Sequence, residues 1–414
     1  MKICILSDYI PSEGKGGAER VAWESALGLA KLGHEIYVIT TTPRPLVETE
    51  VTKRDGIQIF SIHSAYHARW RAWRSLHNPW PVREVKRILG ELHPDVVHAH
   101  NIHSQLSYHL LKVARVSGAK VFLTLHDVMS FHYGKLNEFV DTRHPVCQGG
   151  WNYHVTVWQQ VKRFRLRYNP FRNMVIRHYL KYAGRVFAVS SALKDALNQN
   201  GIQDVEVLHN GVDTSQWQCP VERVAAFANK FGLQGREIIL FGGRISGLKG
   251  GDAVLCALRE VVKKVPTAAL LIVGARNEYV QKLERQAREW DLEKNIVRTG
   301  WITGDELKAA YCVSMVVLQP SIYLEPFGLV CLEGMAAGKP VIGSCFGGVA
   351  EIILNGKTGF LVHPLNTIDF ADRLTELLQD EEKCTQFGQA GLERARDAFS
   401  VDRHLARLIA EYSK

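Results

Sequence analysis

The sequence predicts an α/β protein built from two doubly wound parallel-sheet domains. Three observations predict it: short apolar strands alternate with helical patterns, the alternation restarts near residue 237, and 414 residues exceed what one ordinary core takes up. In the first half, residues 2–7, 35–40, 95–99, 120–125, 186–190 and 205–208 read as strands. Helical patterns such as 17–32 and 103–117 lie between them. In the second half the strands are 237–241, 269–273, 296–298, 313–318 and 340–343. The run Asp213-Thr214-Ser215-Gln216-Trp217-Gln218-Cys219-Pro220 has neither period and contains a helix-limiting proline. The expected division is therefore 1–213, a linker at 214–221, and 222–397. Ligands of open parallel sheets bind outside the carboxyl ends of the strands, and the motifs below all fall there.

Glu325-Pro326-Phe327-Gly328-Leu329-Val330-Cys331-Leu332-Glu333 is the most informative of these. Pro326 suits a first helical position and Gly338 followed by Pro340 is a stop signal, so a helix from about Pro326 to Ala337 is expected. The unpaired N–H groups of Phe327, Gly328 and Leu329 would then form an anion site. Glu325 and Glu333 would repel a phosphate, so they read as acceptors for neutral sugar and ribose hydroxyls flanking a diphosphate. A capped helix with two surface acids has the same local pattern. The second motif is Phe241-Gly242-Gly243-Arg244-Ile245-Ser246-Gly247-Leu248-Lys249-Gly250-Gly251, a glycine-rich turn that follows a strand and carries two cations. No Asp-x-Asp pair occurs to hold a divalent metal against a diphosphate; Arg244 and Lys249 could neutralise the departing charge instead.

With Gly347-Gly348-Val349-Ala350-Glu351 and Asn355-Gly356-Lys357-Thr358-Gly359-Phe360-Leu361-Val362, these motifs resemble the retaining glycosyltransferases of family 4, whose fold is GT-B, two facing Rossmann-like domains with a cleft between them. The first half adds Gly16-Gly17-Ala18-Glu19-Arg20, Thr124-Leu125-His126-Asp127, Val189-Ser190-Ser191 and His209-Asn210-Gly211-Val212-Asp213, so the resemblance covers nearly the whole chain. It implies an acceptor-binding first domain, a donor-binding second domain and a last helix, within about 398–414, that crosses back to the first. It implies that Glu333 binds the donor ribose, Glu325 binds donor sugar hydroxyls, and Arg244 with Lys249, beside Gly243, binds the diphosphate. Gly16, Gly17 and His126 would face the reacting sugar from the other domain. Expected catalytic residues are His126, Glu325, Arg244 and Lys249; neither a metal nor another cofactor is expected. The expected reaction moves a sugar from a nucleotide-sugar donor to a hydroxyl of a glycan, lipid-linked or small-molecule acceptor. Stabilisation of the diphosphate would supply most of the catalysis, by a front-face route, because no motif places a carboxylate as nucleophile. Two other classes fit the same scaffold: a nucleotide-sugar epimerase, and a non-catalytic sugar-nucleotide-binding subunit.

Charge is uneven. Residues 1–213 hold 27 Lys and Arg against 18 Asp and Glu, so they account for the whole net charge of +9. From Thr142 to Lys194 there is no acid, and Val157, Val161, Phe164 and Tyr168 recur at helical spacing. A second helical face is Phe171, Met174, Val175, His178 and Tyr182. A basic amphipathic pair reads as an element for an anionic membrane surface or an anionic acceptor, or as two packed stripes with solvated cations. Trp70, Trp73 and Trp80, interleaved with Arg69, Arg71, Arg74 and Arg83, have the composition of an interface anchor. Nucleic acid is not expected as a partner, because no binding motif accompanies the cations. His98, His100 and His103 have ligand chemistry but no fourth ligand at a suggestive spacing. The eight cysteines lack Cys-x-x-Cys spacing and several sit in apolar patterns, which reads as free buried thiols in a reducing cytoplasm. No run approaches the roughly 18–20 apolar residues of a membrane span, so the expected location is cytoplasmic, with peripheral association at the inner membrane face.

Overall fold

The computed structural model describes residues 1–11, 16–147 and 149–414, and the chain divides into two units. The first comprises Met1–Leu136, Asn152–Gly211 and Val401–Lys414; the second comprises Asn137–Trp151 and Val212–Ser400. Each is an α/β unit around its own sheet.

The first sheet contains β1 (Lys2–Ser7), β2 (Glu35–Thr42), β3 (Glu50–Arg54), β4 (Ile57–His63), β5 (Val96–His100), β6 (Lys120–Leu125), β7 (Arg185–Ala188) and β8 (Val205–Val207). Their order is β3-β4-β2-β1-β5-β6-β7-β8. All neighbours run parallel except β3 and β4. Ile3 to Leu6 of β1 are at most 1% exposed, as a strand covered on both faces requires. The order reverses between β1 and β5, and the Asp8 carboxylate closes that junction. It accepts the backbone N–H groups of Ser104, Gln105 and Leu106 at 2.7–2.8 Å. The terminal helix Val401–Ser413 completes the unit, with Tyr412 OH 2.6 Å from His98 Nδ1 and His404 Nδ1 2.8 Å from the His209 carbonyl.

The second sheet contains β9 (Ile238–Gly242), β10 (Ala269–Val273), β11 (Ile296–Gly300), β12 (Val316–Gln319), β13 (Val341–Ser344) and β14 (Gly359–Val362). All neighbours are parallel, in the order β11-β10-β9-β12-β13-β14. This order reverses between β9 and β12, which opens a crevice at their carboxyl ends. The core between this sheet and its helices is aliphatic, with Ile239, Leu258, Leu270, Leu318, Ile342 and Leu374 all nearly sealed from solvent.

Several expectations change. The antiparallel β3–β4 hairpin did not stand out, because β3 is the exposed, polar run Glu-Val-Thr-Lys-Arg at the sheet edge. The helix expected over 103–117 begins only at His109, because residues 104–106 spend their N–H groups on Asp8. The expected linker is a 3-10 turn, Thr214–Trp217, whose buried Trp217 meets the Tyr311 ring edge-on at 5.0 Å. The two amphipathic stripes also differ. In the helix Val157–Phe164 the buried residue is Gln160, whose amide donates to the Phe131 carbonyl, while Val157 is exposed. The helix Arg172–Leu180 buries Arg172, Asn173, Ile176 and Leu180 and turns Phe171 and Met174 outward.

Two thiols expected to be free are joined. Cys147 and Cys345, 198 residues apart, form a disulfide with Cα atoms 5.6 Å apart. No short spacing could signal a pair so distant in sequence. The bond holds the segment Asn137–Trp151 against the loop after β13, where Phe139 and Trp151 also pack on Phe346 with centroids 5.2 and 5.4 Å away. Mass spectrometry of a digest made without reductant should recover a peptide linking Cys147 to Cys345. A closed loop of this length implies that Cys147→Ser lowers stability by up to about 5 kcal/mol, read as a drop in the denaturant midpoint that reductant alone reproduces in the wild type.

Candidate functional site

The crevice between β9 and β12 gathers most of the expected donor residues. Lys249 lies in the 3-10 turn Gly247–Lys249 after β9, and Glu325 lies in the irregular segment after β12. Lys249 Nζ is 2.5 Å from Glu325 Oε2, and both side chains are mostly buried, at 15% and 13% exposed. The same oxygen accepts Tyr323 OH at 2.6 Å and Ser321 Oγ at 2.9 Å. Burial raises the Glu325 carboxyl pKa, but the Lys249 ammonium and the two hydroxyls outweigh it and hold the group at about 2. Burial likewise works against the Lys249 charge, and Glu325 overturns it, so the ammonium is held above its ordinary range. Gly250, at φ +83°, lets the turn close: a side chain there would come within 2.0 Å of the Pro320 carbonyl. Leu248 O accepts the Ile322 N–H at 2.7 Å, which ties the turn after β9 to the segment after β12.

The helix of the Glu-x7-Glu motif spans Leu329–Ala336, not Pro326 to Ala337. Gly328 sits at φ +110°, a cap conformation that breaks helical continuity before Leu329. The preceding backbone is pinned elsewhere, since Glu325 O accepts the Gly348 N–H at 2.8 Å. The first-turn N–H groups therefore belong to Leu329 and Val330, both half-buried, while Cys331 N–H is taken by Gln319 Oε1 at 3.1 Å. Phe327 and Gly328 belong to the approach segment, which moves the expected anion site one to two residues along. Glu333 is buried in the second turn and accepts Tyr311 OH. Arg244, just beyond Gly243, is exposed beside the same turn.

In the first unit, Gly16 and Gly17 open the helix Gly17–Lys31 after β1, and His126 follows β6. The rest of the loop before Gly16, residues 12–15, lies outside the described residues. The His126 N–H donates to Asn101 Oδ1 at 2.9 Å, and its Nε2 is 3.0 Å from His100 Nδ1, with the rings stacked. His98 lies between Tyr412 OH and Thr124 Oγ1, at 2.6 and 2.8 Å. Burial lowers the pKa of His98 and of His126 to about 3, so both rings are neutral at pH 7. His103 Nε2 is 2.9 Å from Asp127 Oδ2, which also accepts from Asn101 at 2.9 Å. His98 thus pairs with Tyr412 and Thr124, while His100 and His103 are linked through His126, Asn101 and Asp127, and among the described residues no group of three or more His, Cys, Asp or Glu could hold a metal ion.

Sequence reasoning missed Ser321, Tyr323 and Gln319. All three hydroxyl or amide groups lie in or next to the irregular segment after β12, whose bends at 322 and 323 no sequence period announces. Arg71, Asn101 and Asp127 are the unexpected members of the network around His126 and His103.

Known proteins place this architecture. The profile described as "Glycosyltransferase Family 4" matches residues 15–216 and that described as "Glycosyl transferases group 1" matches residues 225–394. Between them they take in nearly the whole chain, and it belongs to this family of GT-B glycosyltransferases. An uncharacterized glycosyltransferase of Methanocaldococcus jannaschii is 27% identical over 391 residues, covering 92% of this chain and 90% of that one. The GDP-mannose-dependent alpha-(1-6)-phosphatidylinositol monomannoside mannosyltransferase of Mycolicibacterium smegmatis is 31% identical over 210 residues, 49% of this chain and 55% of that protein. The crystal structure of Anabaena HepE in complex with UDP and glucose superposes with a TM-score of 0.74 at 18% identity, covering 100% of this chain and 99% of that one.

The neutral histidines predict an acid limit. Their folded pKa of about 3 lies below the roughly 6.5 of an unfolded histidine. The stability they contribute is therefore present above about pH 6.5 and lost as pH falls toward 3. Denaturant unfolding should give a smaller free energy at pH 5 than at pH 7, and His98→Gln should flatten that dependence.

Proposed function

We propose that the chain is a retaining, metal-independent glycosyltransferase that moves a sugar from a nucleoside diphosphate to a hydroxyl acceptor, with the donor in the second unit and the acceptor in the first. The observation that carries this is the buried Lys249–Glu325 pair at the reversal of a parallel sheet, beside the exposed Arg244 and the helix start at Leu329 and Val330. Two cations and two uncommitted N–H groups meet a diphosphate with the electrostatics that a metal ion supplies elsewhere. The complex of Anabaena HepE with UDP and glucose supports a nucleotide-sugar donor. Glu325 can accept a sugar hydroxyl only beside the three donors it already holds, which suits a positioning role more than a nucleophile's. Neutral His126 suits a hydrogen bond to the donor sugar or acceptor rather than a proton at pH 7. Glu333, held by Tyr311, is the ribose acceptor in this reading.

The test is a transfer assay in which NMR reads the anomeric configuration of donor and product, run with and without EDTA. Inversion, or full loss of turnover on chelation with rescue by a divalent ion, would overturn the mechanism. An epimerase would convert donor without acceptor, and a binding subunit would never turn over.

Arg244→Ala is the clean probe of diphosphate binding, because its exposed side chain leaves the fold unaltered; turnover should fall at least tenfold with an unchanged melting temperature. Lys249→Ala should lower both, since it strands the Glu325 carboxylate, and breaking a buried pair costs about 3–5 kcal/mol. Glu333→Gln should chiefly raise the donor KM, and Glu325→Gln should chiefly lower kcat.

The basic first unit supports an anionic membrane as the place of work. Trp70, Trp73, Trp80, Trp158, Phe171 and Met174 are 43–72% exposed. Rings of His77, His109 and Tyr179 contact one another in sequence, linking the Trp73 turn to the helix Arg172–Leu180. Among the described residues no helix is long and apolar enough to cross a membrane. Acidic liposomes should bind the protein at low salt and release it as salt rises, each basic residue near the surface contributing about 1 kcal/mol. Replacing Arg163, Arg165 and Arg167 with Gln should weaken that binding; Arg172 is wholly buried and belongs to no surface patch. Equal binding to neutral liposomes would return these cations to a solvated face.

A further inference from the structure

The first unit buries a set of donors that it satisfies only in part. Arg172 is among the largest wholly buried side chains. Its Nη2 donates to the Met129 carbonyl, its Nη1 reaches Asn173 Oδ1 only at 3.5 Å, and its Nε has no partner. The polar groups whose fields act on it are Tyr108, Arg71, Tyr168 and Tyr133; no carboxylate is among them. The Tyr133 ring centroid lies 5.6 Å from the guanidinium. A buried cation without an anion is a costly arrangement, by several kcal/mol in general.

The neighbours share the deficit. The hydroxyls of Tyr108 and Tyr168, in side chains 1% and 5% exposed, have no hydrogen-bond partner, and neither do Tyr66 OH and Arg71 Nε. The two acids in the vicinity are already committed. Asp8 accepts three backbone N–H groups, and Asp127 accepts Asn101, His103 and the Met129 N–H. Arg71 Nη2 is bonded to His103 Nδ1 and Ser104 Oγ, but both Nε atoms and the three phenols keep donors to spare, with no carboxylate free to meet the two guanidiniums. An apolar occupant would leave every donor unmet, and a neutral hydroxyl would leave both charges unmet. An oxyanion with several acceptor oxygens answers both. Arg71, Tyr66 and Tyr133 are half-buried and lie nearer the surface than Arg172, Tyr108 and Tyr168, which are buried. Asn101 couples this cluster to the site above, because it donates to Asp127 and accepts from the His126 N–H.

We propose that Arg71, Arg172, Tyr66, Tyr108 and Tyr168 form a subsite for a phosphoryl group of the acceptor. The word acceptor rests on the glycosyltransferase reading; the anion site itself does not. Inorganic phosphate, titrated into the full chain at constant ionic strength with chloride as control, should raise the melting temperature saturably. Tyr108→Phe with Tyr168→Phe removes only two hydroxyls and should weaken phosphate binding at least tenfold, as should Arg71→Gln. Arg172→Gln is expected to unfold the region, so the tyrosine pair carries the test. No saturable shift beyond chloride, or an unchanged Kd in the tyrosine pair, would overturn the subsite.

UDP titrated into the same protein separates this from the donor reading: a UDP shift without a phosphate shift sinks the subsite alone, and the reverse sinks the donor reading alone. Vesicles distinguish the phosphate's source. A preference for phosphatidic acid over phosphatidylserine that the tyrosine pair abolishes assigns the subsite to a lipid phosphate. Phosphate binding without that preference assigns it to a soluble phosphorylated acceptor.

Discussion

The ion pair between Lys249 and Glu325 is the constraint on which the second unit's site depends. The two residues come from segments after different strands, β9 and β12, and the pair closes the place where the sheet order reverses. It is buried enough that neither charge could stand alone. Tyr323 and Ser321 complete it, so the carboxylate is oriented as well as neutralised. Several surrounding features follow from keeping this pair closed. Gly250 admits the Pro320 carbonyl, the Leu248 carbonyl holds Ile322, and the Gly348 N–H holds the Glu325 carbonyl. With Lys249 committed internally, Arg244 is the cation that faces outward without rearrangement. In the proposed reading, a diphosphate would compete with Glu325 for Lys249, and the site could respond by loosening one pair rather than by refolding a loop.

The first unit solves a different problem with uncharged groups. Its central strand β5 places His98 and His100 inside the sheet, where protonation would strand a cation. Burial keeps the rings neutral, and hydrogen bonds to Thr124, Tyr412 and His126 then fix their orientation. The terminal helix supplies Tyr412, so the chain's last residues set the environment of a histidine more than 300 positions earlier. His126 inherits that order through His100 and Asn101.

Much of this was legible in the sequence, and what was not has physical reasons. Strand positions in both sheets follow from apolar runs that only a doubly covered sheet can bury, and Gly242 to Gly251 announces a turn whatever the fold. The start of the Glu-x7-Glu helix was misjudged because Pro326 is compatible with a first turn; the left-handed cap at Gly328 and the grip of Gly348 are tertiary facts. The Lys249–Glu325 pair was read as two separate ligand contacts, since sequence shows neither's partner across 76 residues. The Cys147–Cys345 bond was invisible for the same reason, at a separation of 198. On the helix Arg172–Leu180, periodicity marks Phe171, Met174, Val175, His178 and Tyr182 as one face and leaves open whether it packs or faces outward; the structure turns Phe171, Met174 and His178 to solvent and buries Ile176 and Leu180 beside Arg172 and Asn173.

That mixed burial is the least ordinary feature of the fold. An amphipathic helix normally buries its apolar stripe and solvates its cations, which lowers the free energy on both faces at once. Here Ile176 and Leu180 are buried as expected, but Phe171 and Met174 face outward and Arg172 lies inside, over the Tyr133 ring. Turning the helix over would expose Ile176 and Leu180 and bury Arg177 and His178, so the chain has no better arrangement of its own. Partners from outside remove the difficulty, an oxyanion for the buried guanidinium and an apolar surface for the outer side chains. If the proposed subsite holds a phosphoryl group, a molecule that joins it to an apolar tail would meet both faces of the same helix, whereas a soluble phosphate would meet only the inner one.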